Sequence, residues 1–454
     1  MFHLGWFLGN GYTTQGTWNT LGRTRNRDGT SGVWNGTNAY DWMKPDIFVD
    51  LAASLERAGF DYVLIEDTTS IDDTMGGTME STLKHMIQVP KNDPLPLVPL
   101  MTQNTRHIGI VPTISSSYYH PYTAARVMAT LDHMTEGRVG VNVVTSVNHA
   151  AALLHGRDAH YEHSVRYEMA NEWIELLKEL WDSWEPGAIV VDEVNNVFAD
   201  HRKVHKVDFH GKFFNCYGAL NIPAGPQGWP VIAQAGASPA GRRLAGEHCD
   251  TAIGKSGSIE EMKAFRDDIR QQAVAAGRNP DDCKVLFLVI PVLGETDEEA
   301  LERDRLTRRA GLEPDQMERV LWHMSYSSGG ELDYGSLDLD APMPDVAGNG
   351  QTQAIASYLK AGGGGVKTLR EIISPTQVDV KPGRYNYIGC PDTVAGQMQE
   401  VMEEVGGDGF LIGSTVTRRT IAEIADGLVP ALRRRGLVRT GYSAGTFRDN
   451  LLEY

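Results

Sequence analysis

Polar side chains follow several apolar runs of this sequence, at the point where each run ends. Asp67 follows "YVLIE", Thr113 ends "IGIVPT", and Thr145 and Ser146 come directly after "GVNVV". Short β-branched runs are typical of buried strands, and the carboxyl ends of parallel strands in a barrel share one face. Each polar residue alone is compatible with an ordinary turn or helix cap. Together they predict one shared site whose groups hydrogen-bond a polar ligand.

A further run, "PVIAQAGASPAGRRLAG", has a polar end that suits an anion. Gln234 lies near that end, Ser238 is a good N-cap, and Pro239 fits the first position of a helix. Free backbone N–H groups and the positive end of such a helix attract a phosphate, and Arg242 or Arg243 can add charge. The segment predicts a phosphate site, although an ordinary capped helix explains it equally well.

The segment "HYEHSVRYE" places His163 and Tyr167 four residues apart, on one face of a helix. Both can donate hydrogen bonds to a planar, heteroatom-rich ligand or to its phosphate. A polar helix face in contact with water is the alternative. His160 and His163 also have a spacing seen in metal sites, but no cysteine or second histidine pair completes a ligand set. The sequence therefore predicts no metal.

Three common motifs are missing from the sequence. It has no GxxxxGK[ST] phosphate loop, no GxGxxG after a predicted strand and no GxSxG nucleophile elbow. No built-in nicotinamide site is therefore visible.

Strands and helices alternate through most of the chain. In "DIFVDLAASLERAGF", for example, Asp46 begins an amphipathic run and Gly59 ends it. This alternation predicts parallel strands joined by helices, and eight strands predict a closed α/β barrel. The predicted strands are Phe2–Leu8, Asp61–Glu66, His107–Pro112, Val139–Val144, Pro230–Gln234, Thr251–Gly254, Val285–Val292 and Gly409–Gly413.

Two regions interrupt the alternation, at about 185–229 and about 295–408. We interpret both as insertions in a single domain that spans residues 1–454. The second lies between strands 7 and 8 and includes "KAGGGGVKTL", whose consecutive glycines are costly to order and easy to move. A mobile lid over the site and a plain flexible connector are equally compatible with it.

Composition argues against several classes of partner. The 42 basic and 59 acidic residues give a net charge of −17, which repels phosphate backbones and anionic lipid. Four scattered cysteines form no CxxC pair, no signal-like segment is present, and no apolar stretch approaches the roughly 18 residues that span a bilayer. We therefore expect a cytoplasmic globular protein that binds neither nucleic acid nor membrane.

Several segments, in this order, resemble the bacterial luciferase-like flavin monooxygenases, specifically the group of nitrilotriacetate, EDTA and dibenzothiophene-sulfone monooxygenases. They include "FDYVLIED", "TISSSYYHPYTAARVMATLDHMTEGRVGVNVVTS", "HYEHSVRYEMANEWIELLKELWDSW", "PQGWPVIAQAGASPAGRRLAG" and "RTGYSAGTFRDNL". The resemblance extends over most of the chain. It implies a TIM (β/α)8 barrel that holds reduced FMN at the strand ends.

Carried over position by position, the resemblance implies nine flavin-binding residues. These are Asp67, Thr113, Asn142, Thr145, Ser146, His163, Tyr167, Ala237 and Ser238. The phosphate site predicted at Ser238 becomes the FMN phosphate site, and the polar end of "VNVVTS" faces the isoalloxazine ring. Asn142 and Ser146 are then catalytic candidates, because short side chains can hydrogen-bond the oxygenated flavin or the substrate without filling the space that O2 needs.

Gln15 departs from the family pattern and is the third catalytic candidate. Many members have a histidine just before the Gly-x-Trp of the first loop, where this sequence has "TTQGTW". A glutamine amide cannot act as an acid at neutral pH. The departure leaves open a different substrate or a different route of protonation.

The resemblance implies a two-component monooxygenase. Reduced FMN would react with O2 to give a C4a-hydroperoxide, which oxygenates a small organic substrate of apolar, aromatic, organosulfur or halogenated character. A separate NAD(P)H:flavin reductase would supply FMNH2, and a homodimer or homotetramer is expected. The alternatives are a non-catalytic flavin-binding barrel, a deazaflavin-dependent oxidoreductase and, from another class, a metallohydrolase that uses the region of His160 and His163.

Overall fold

Eight parallel strands close into a barrel in the computed structural model, which describes residues 1–9, 44–310, 314–343, 368–373, 386–414, 416–443 and 445–454. Each strand pairs with the next along the chain, and the eighth pairs with the first. The predicted (β/α)8 barrel is confirmed, with strand ends that shift by a few residues. The strands are β1 (His3–Leu8), β2 (Tyr62–Ile65), β3 (Gly109–Ser115), β4 (Gly140–Val144), β5 (Val231–Gln234), β6 (Thr251–Lys255), β7 (Lys284–Val289) and β8 (Gly409–Gly413).

Helices connect the strands and cover the outside of the barrel. The longer helices of the described chain are α1 (Asp46–Ala58), α2 (Pro94–Thr102), α3 (Pro121–Met134), α4 (His163–Trp181), α5 (Pro239–His248), α6 (Ile259–Ala275), α7 (Asp297–Ala310), α8 (Pro314–Ser327) and α9 (Pro391–Val405). As the sequence predicted, α1 ends at Gly59, whose φ of 82° few other residues adopt. Helical turns from Arg418–Ala422 through Val429–Arg434 follow β8. No helix among the described residues is both long and apolar enough to cross a bilayer.

The two predicted insertions differ in structure. The first contains two antiparallel hairpins between α4 and β5, in which Ile189–Asp192 pairs with Val197–Ala199 and Val207–His210 pairs with Asn215–Gly218. The second contains α7, α8 and α9. Its glycine run, 362–365, lies outside the described residues. The lid and the division into one domain with two insertions therefore stay predictions.

Helix α8 is fixed against the segment that follows β2. The indole N–H of Trp322 donates to Thr82 Oγ1 at 2.6 Å, and the guanidinium of Arg319 donates to the carbonyl oxygen of His85 at 3.1 Å. The Oε2 atom of Glu318 lies 2.9 Å from His85 Nε2. These contacts make α8 a side wall at the carboxyl ends of the strands.

The amino ends of the strands are closed by a segment after the helical turns that follow β8, residues 437–443 and 445–454, which we call the base plug. Phe447 and Leu451 join the apolar cluster inside the barrel, and the Phe447 ring lies 5.6 Å from the ring of Tyr62. Arg439 Nη2 donates to Asp61 Oδ1 at 2.6 Å, and both side chains are buried. The plug thus fills the barrel with apolar side chains and fastens itself with a buried ion pair.

Candidate active site

A cavity of about 380 Å³ opens at the carboxyl ends of the strands, opposite the base plug. Its floor is apolar, because Phe7, Leu64, Leu288 and Leu411 line it and pack onto the cluster inside the barrel. Polar residues from the loops after β2, β4 and β5 and from α4 form its rim. An apolar floor with a polar rim suits a flat ring system whose edges carry hydrogen-bonding groups.

All nine residues that the resemblance assigned to the flavin line this one cavity. They are Asp67, Thr113, Asn142, Thr145, Ser146, His163, Tyr167, Ala237 and Ser238. The catalytic candidates Asn142 and Ser146 are among them, whereas Gln15 lies outside the described residues. Thr113 is opposite Asn142 in the β3–β4 register, so the barrel itself brings these two side chains together.

A chain of two hydrogen bonds fixes the orientation of the Asn142 side chain. Thr113 Oγ1 donates to the carbonyl oxygen of Ile65 at 2.6 Å, so its lone pairs remain free to accept. Asn142 Nδ2 donates to Thr113 Oγ1 at 2.8 Å, which turns the amide oxygen of Asn142 to the other side. That oxygen is buried and has no hydrogen-bond partner among the described residues. Because such an acceptor costs about 1–3 kcal/mol, the arrangement favours a ligand that donates a hydrogen bond here.

Ser146 and Ser115 form a hydroxyl pair at the edge of the cavity. Their Oγ atoms lie 2.7 Å apart, and both residues line the cavity. Ser146 has a φ of 52°, in the left-handed region that few residues with a side chain adopt. Backbone strain of this kind collects at ligand sites, where the surrounding structure enforces it. The turn after β4 thus holds the Ser146 hydroxyl in one position.

Two helix N-termini approach each other at one end of the cavity. Helix α4 begins at His163, and Ser238 caps α5 by accepting from the backbone N–H of Gly241 at 3.1 Å. A Cβ atom at Gly236 would lie 2.7 Å from the Tyr167 hydroxyl, so a glycine lets the backbone pass this close to α4. The N–H groups and positive dipole ends of both helices favour an anion. The sequence prediction of an N-cap at Ser238 is confirmed.

Arg166 lines the cavity, whereas Arg242 and Arg243 do not. Arg166 is fully buried on α4 and lines the cavity, and burial lowers the pKa of its guanidinium. Arg242 instead donates to the carboxylate of Asp268 and to the carbonyl oxygen of Ala237. Arg243 is exposed. Arg242 is held by Asp268 on α6 and neither arginine lines the cavity, so the predicted charge from Arg242 or Arg243 gains no support.

His163 and Tyr167 stand together as their spacing predicted, with ring centroids 4.9 Å apart. Burial, and then the charge of Arg166, lowers the pKa of His163, so its ring is neutral at pH 7 and can both donate and accept. His160 does not line the cavity, and burial lowers its pKa to about 4. No three histidine, cysteine or carboxylate side chains of the described chain cluster as metal ligands. The metallohydrolase alternative thus gains no support.

Asp67 is a carboxylate in a partly desolvated position on the rim. Burial raises its pKa to about 6, the charge of Lys91 lowers it, and Asp93 and Glu66 raise it. The charge of Lys91 does not restore an ordinary pKa, and its ammonium group also pairs with Glu66 Oε2 at 3.0 Å. Asp67 therefore changes its charge within the physiological pH range, as functional carboxylates often do.

Sequence reasoning missed several residues that line the cavity, among them Arg166, Ser115 and Tyr326. Arg166 lies three residues after His163, so the helical spacing that found Tyr167 could also have found it. Ser115 was missed because β3 continues beyond the predicted strand. Tyr326 comes from α8 inside the second insertion, and no local pattern connects it with the strand ends.

Comparison with known proteins gives consistent matches over most of the chain. Residues 15–409 match the family of luciferase-like monooxygenases. The dibenzothiophene-sulfone monooxygenase of Rhodococcus erythropolis is 35% identical over 428 residues, with 92% of each chain covered. Nitrilotriacetate monooxygenase component A of Aminobacter aminovorans is 31% identical over 430 residues, with 92% of this chain and 93% of that one covered. A crystal structure of riboflavin lyase with modified FMN and its substrate riboflavin covers 100% of this chain and 96% of its own, at a TM-score of 0.85 and 28% identity.

Proposed function

The chain belongs to the luciferase-like monooxygenase family, and we propose that it uses reduced FMN and O2 to oxygenate a small organic substrate. Family membership makes it a flavin-dependent monooxygenase. The proposed substrates are apolar, aromatic, organosulfur or halogenated molecules. When bound, reduced FMN supplies the electrons that activate O2, and the oxygenating species expected from the family is the flavin C4a-hydroperoxide.

One observation supports a flavin most directly, namely a cavity that combines a buried acceptor with an anion site. The unpartnered amide oxygen of Asn142 suits a ring N–H of an isoalloxazine. The α4 and α5 N-termini, with Arg166 and the Ser238 hydroxyl, suit a phosphate. FMN carries both a ring N–H and a phosphate, and the apolar floor suits its flat ring. The residues present therefore fit this cofactor.

The chain's own contribution would be to position the ligand and exclude water. Thr113 orients the Asn142 amide, and Ser115 holds the Ser146 hydroxyl at the cavity edge. The apolar floor keeps water from the reacting atoms, and water at that place would discharge the activated oxygen as hydrogen peroxide. Asp67 can hold or release a proton near pH 6.

We further propose that a separate NAD(P)H:flavin reductase supplies FMNH2. The sequence has no nicotinamide motif, and the similar nitrilotriacetate enzyme is by its name one component of a system. The homodimer or homotetramer and the cytoplasmic location remain predictions from the sequence.

The test combines the purified protein with FMN, NADH, a heterologous flavin reductase and a panel of sulfides, sulfones, alkanes and halogenated aromatics. Isotope-labelled O2 should place one labelled oxygen atom in at least one product. Tight FMN binding without product from any compound would favour the non-catalytic flavin-binding barrel. Substrate turnover with a reduced deazaflavin, without O2 uptake, would favour the deazaflavin-dependent oxidoreductase.

Replacing Ser238 with alanine should weaken FMN binding by about 1 kcal/mol or more, roughly fivefold, because it removes both a phosphate donor and a helix cap. The dissociation constant is measured by quenching of flavin fluorescence. Ser258→Ala is the matched control, since Ser258 caps α6 in the same way but does not line the cavity. If Ser238→Ala and Ser258→Ala weaken FMN binding equally, Ser238 acts only as a helix cap.

Replacing Ser146 with alanine should raise the release of hydrogen peroxide per product roughly tenfold or more. The lost hydroxyl corresponds to about 1–3 kcal/mol of stabilisation of the reacting oxygen in a dry site, while the fold loses little volume. Product and peroxide are measured under the same FMNH2 supply, with Ser164→Ala on the exposed face of α4 as the control. If the ratio of peroxide to product is unchanged while flavin binding is normal, the reacting face of the flavin does not lie against β4.

A further inference from the structure

A second chamber adjoins the central cavity and has no role in the function proposed above. The segment after β2 and the short helix Glu80–Lys84 border a space of about 460 Å³. Thr68, Thr69 and Gln88 line both this chamber and the central cavity. These three residues therefore form a wall common to both spaces, beside the rim carboxylate Asp67.

The chamber differs from the central cavity in its apolar lining. Its apolar residues are Ile71, Leu83, Met86, Val89 and Pro90. Leu83 is 56% exposed and Ile71 39%, which is high for side chains of this size. Lys91 also lines the chamber, but its side chain is only 3% exposed and its ammonium group pairs with Glu66, so it offers mainly its alkyl stem. The chamber suits hydrocarbon on this apolar side, and the one cationic side chain in its lining is already paired.

Helix α8 holds in place the wall that the two spaces share. The Tyr326 hydroxyl is hydrogen-bonded to the side chain of Thr68, and the Tyr326 ring stacks on Trp322 at a centroid distance of 5.2 Å. Trp322 in turn donates to Thr82 on the short helix that borders the chamber. The wall that the two spaces share is thus fixed by hydrogen bonds and ring stacking from α8.

We propose that the second chamber binds the apolar arm of an elongated substrate whose reacting end lies in the central cavity. Only the position of the reacting end rests on the proposed function. A ligand that passes Thr68, Thr69 and Gln88 moves from a polar rim to an apolar lining, so the substrate class is an amphipathic molecule with a hydrocarbon arm. A compact substrate would leave the chamber without a role.

The test measures binding of n-alkyl methyl sulfones, from ethyl to decyl, to the FMN-loaded protein by isothermal titration calorimetry. Once the alkyl chain reaches the chamber, each further methylene should strengthen binding about threefold to fourfold, which corresponds to about 0.8 kcal/mol. Leu83→Glu places a charge in the chamber and should abolish this dependence on length. Leu306→Glu is the matched control, because Leu306 is 54% exposed on α7 and lines neither space.

A second variant tests the opening itself. Thr69→Trp narrows the passage and should weaken the decyl sulfone at least tenfold more than the ethyl sulfone. The proposal is overturned if affinity stops rising once the central cavity is filled, or if Leu83→Glu and Leu306→Glu behave alike. Binding requires no turnover, so a length dependence that persists without any oxygenated product would count against the monooxygenase proposal and not against the chamber.

Discussion

Replacing Asp67 with asparagine is expected to raise the free energy of unfolding by about 2–3 kcal/mol at pH 8 and by almost nothing below pH 4. Burial raises the pKa of Asp67 from 3.8 to about 6, so the folded protein holds this proton more tightly than the unfolded chain. The stability that the protonated carboxyl contributes is complete below about pH 4 and is lost as the pH rises through 6. Asparagine does not titrate, so the difference between the two proteins grows across that window.

Urea unfolding at pH 4, 6 and 8 measures this effect. Asp73→Asn is the control, since Asp73 is exposed and its replacement should change stability by less than about 0.5 kcal/mol at each pH. A gain for Asp67→Asn that is the same at all three pH values would contradict a desolvated carboxyl. Retention of a destabilising carboxylate on the rim fits a residue selected for activity over stability.

Replacing Arg439 with leucine is expected to lower the free energy of unfolding by about 3–5 kcal/mol at pH 7. The Arg439 guanidinium fastens the base plug to Asp61 and donates to the backbone carbonyl of Asn450 at 2.8 Å. Without it, the Asp61 carboxylate stays buried, and its remaining partners among the described residues are the His3 ring at 3.0 Å and the backbone N–H of Leu4 at 2.9 Å. A buried carboxylate that loses its guanidinium partner is poorly compensated at a cost of several kcal/mol, which is the source of the expected loss.

The stability lost in Arg439→Leu should depend on pH in the opposite sense from the stability contributed by the Asp67 carboxyl. Burial alone would raise the pKa of Asp61, but His3 and Arg439 hold it below 3.8. A lowered pKa contributes stability above about pH 4, and this stability disappears as the pH falls through the folded pKa. The effect of Arg439→Leu should therefore be full at neutral pH and shrink in acid.

Arg434→Leu provides the control for this second prediction. It breaks an exposed ion pair with Asp392, 3.0 Å long, whose removal should cost no more than about 1 kcal/mol. Thermal and urea unfolding of both variants give the comparison. Equal losses would mean that the buried pair contributes no more than a surface pair.

The barrel could be predicted from sequence because its signals are local. Each strand is a short apolar run between helix start and stop signals, as in α1 with its terminal Gly59. The predicted ends of the strands were less accurate, and the reason is physical. Thr113 lies inside β3 with its hydroxyl in the cavity, and a polar residue that faces a buried site has the same appearance in sequence as the end of a strand.

The residues of the candidate site also fall into those that have a local signal in the sequence and those that do not. Local pattern found the N-cap at Ser238 and the pair His163 and Tyr167, whereas the full set of nine residues came from the family resemblance. Neither the local patterns nor the family resemblance predicted the contacts between distant segments. Tyr326 reaches the rim from an insertion, and the direction of Arg242 depends on how α5 packs against α6. Such contacts depend on tertiary packing, for which a single sequence carries no periodic signal.

The position of the base plug in the chain has a consequence for protein synthesis. A ribosome makes all eight strands before it makes Phe447 and Leu451, the side chains that fill the amino ends of those strands. Until the base plug emerges, a nascent barrel is open at the amino ends of its strands, and Asp61 lacks its guanidinium partner. The sheet can pair strand by strand during translation, but its interior becomes dry only afterwards. A nascent chain at this stage exposes the kind of apolar surface that chaperones bind.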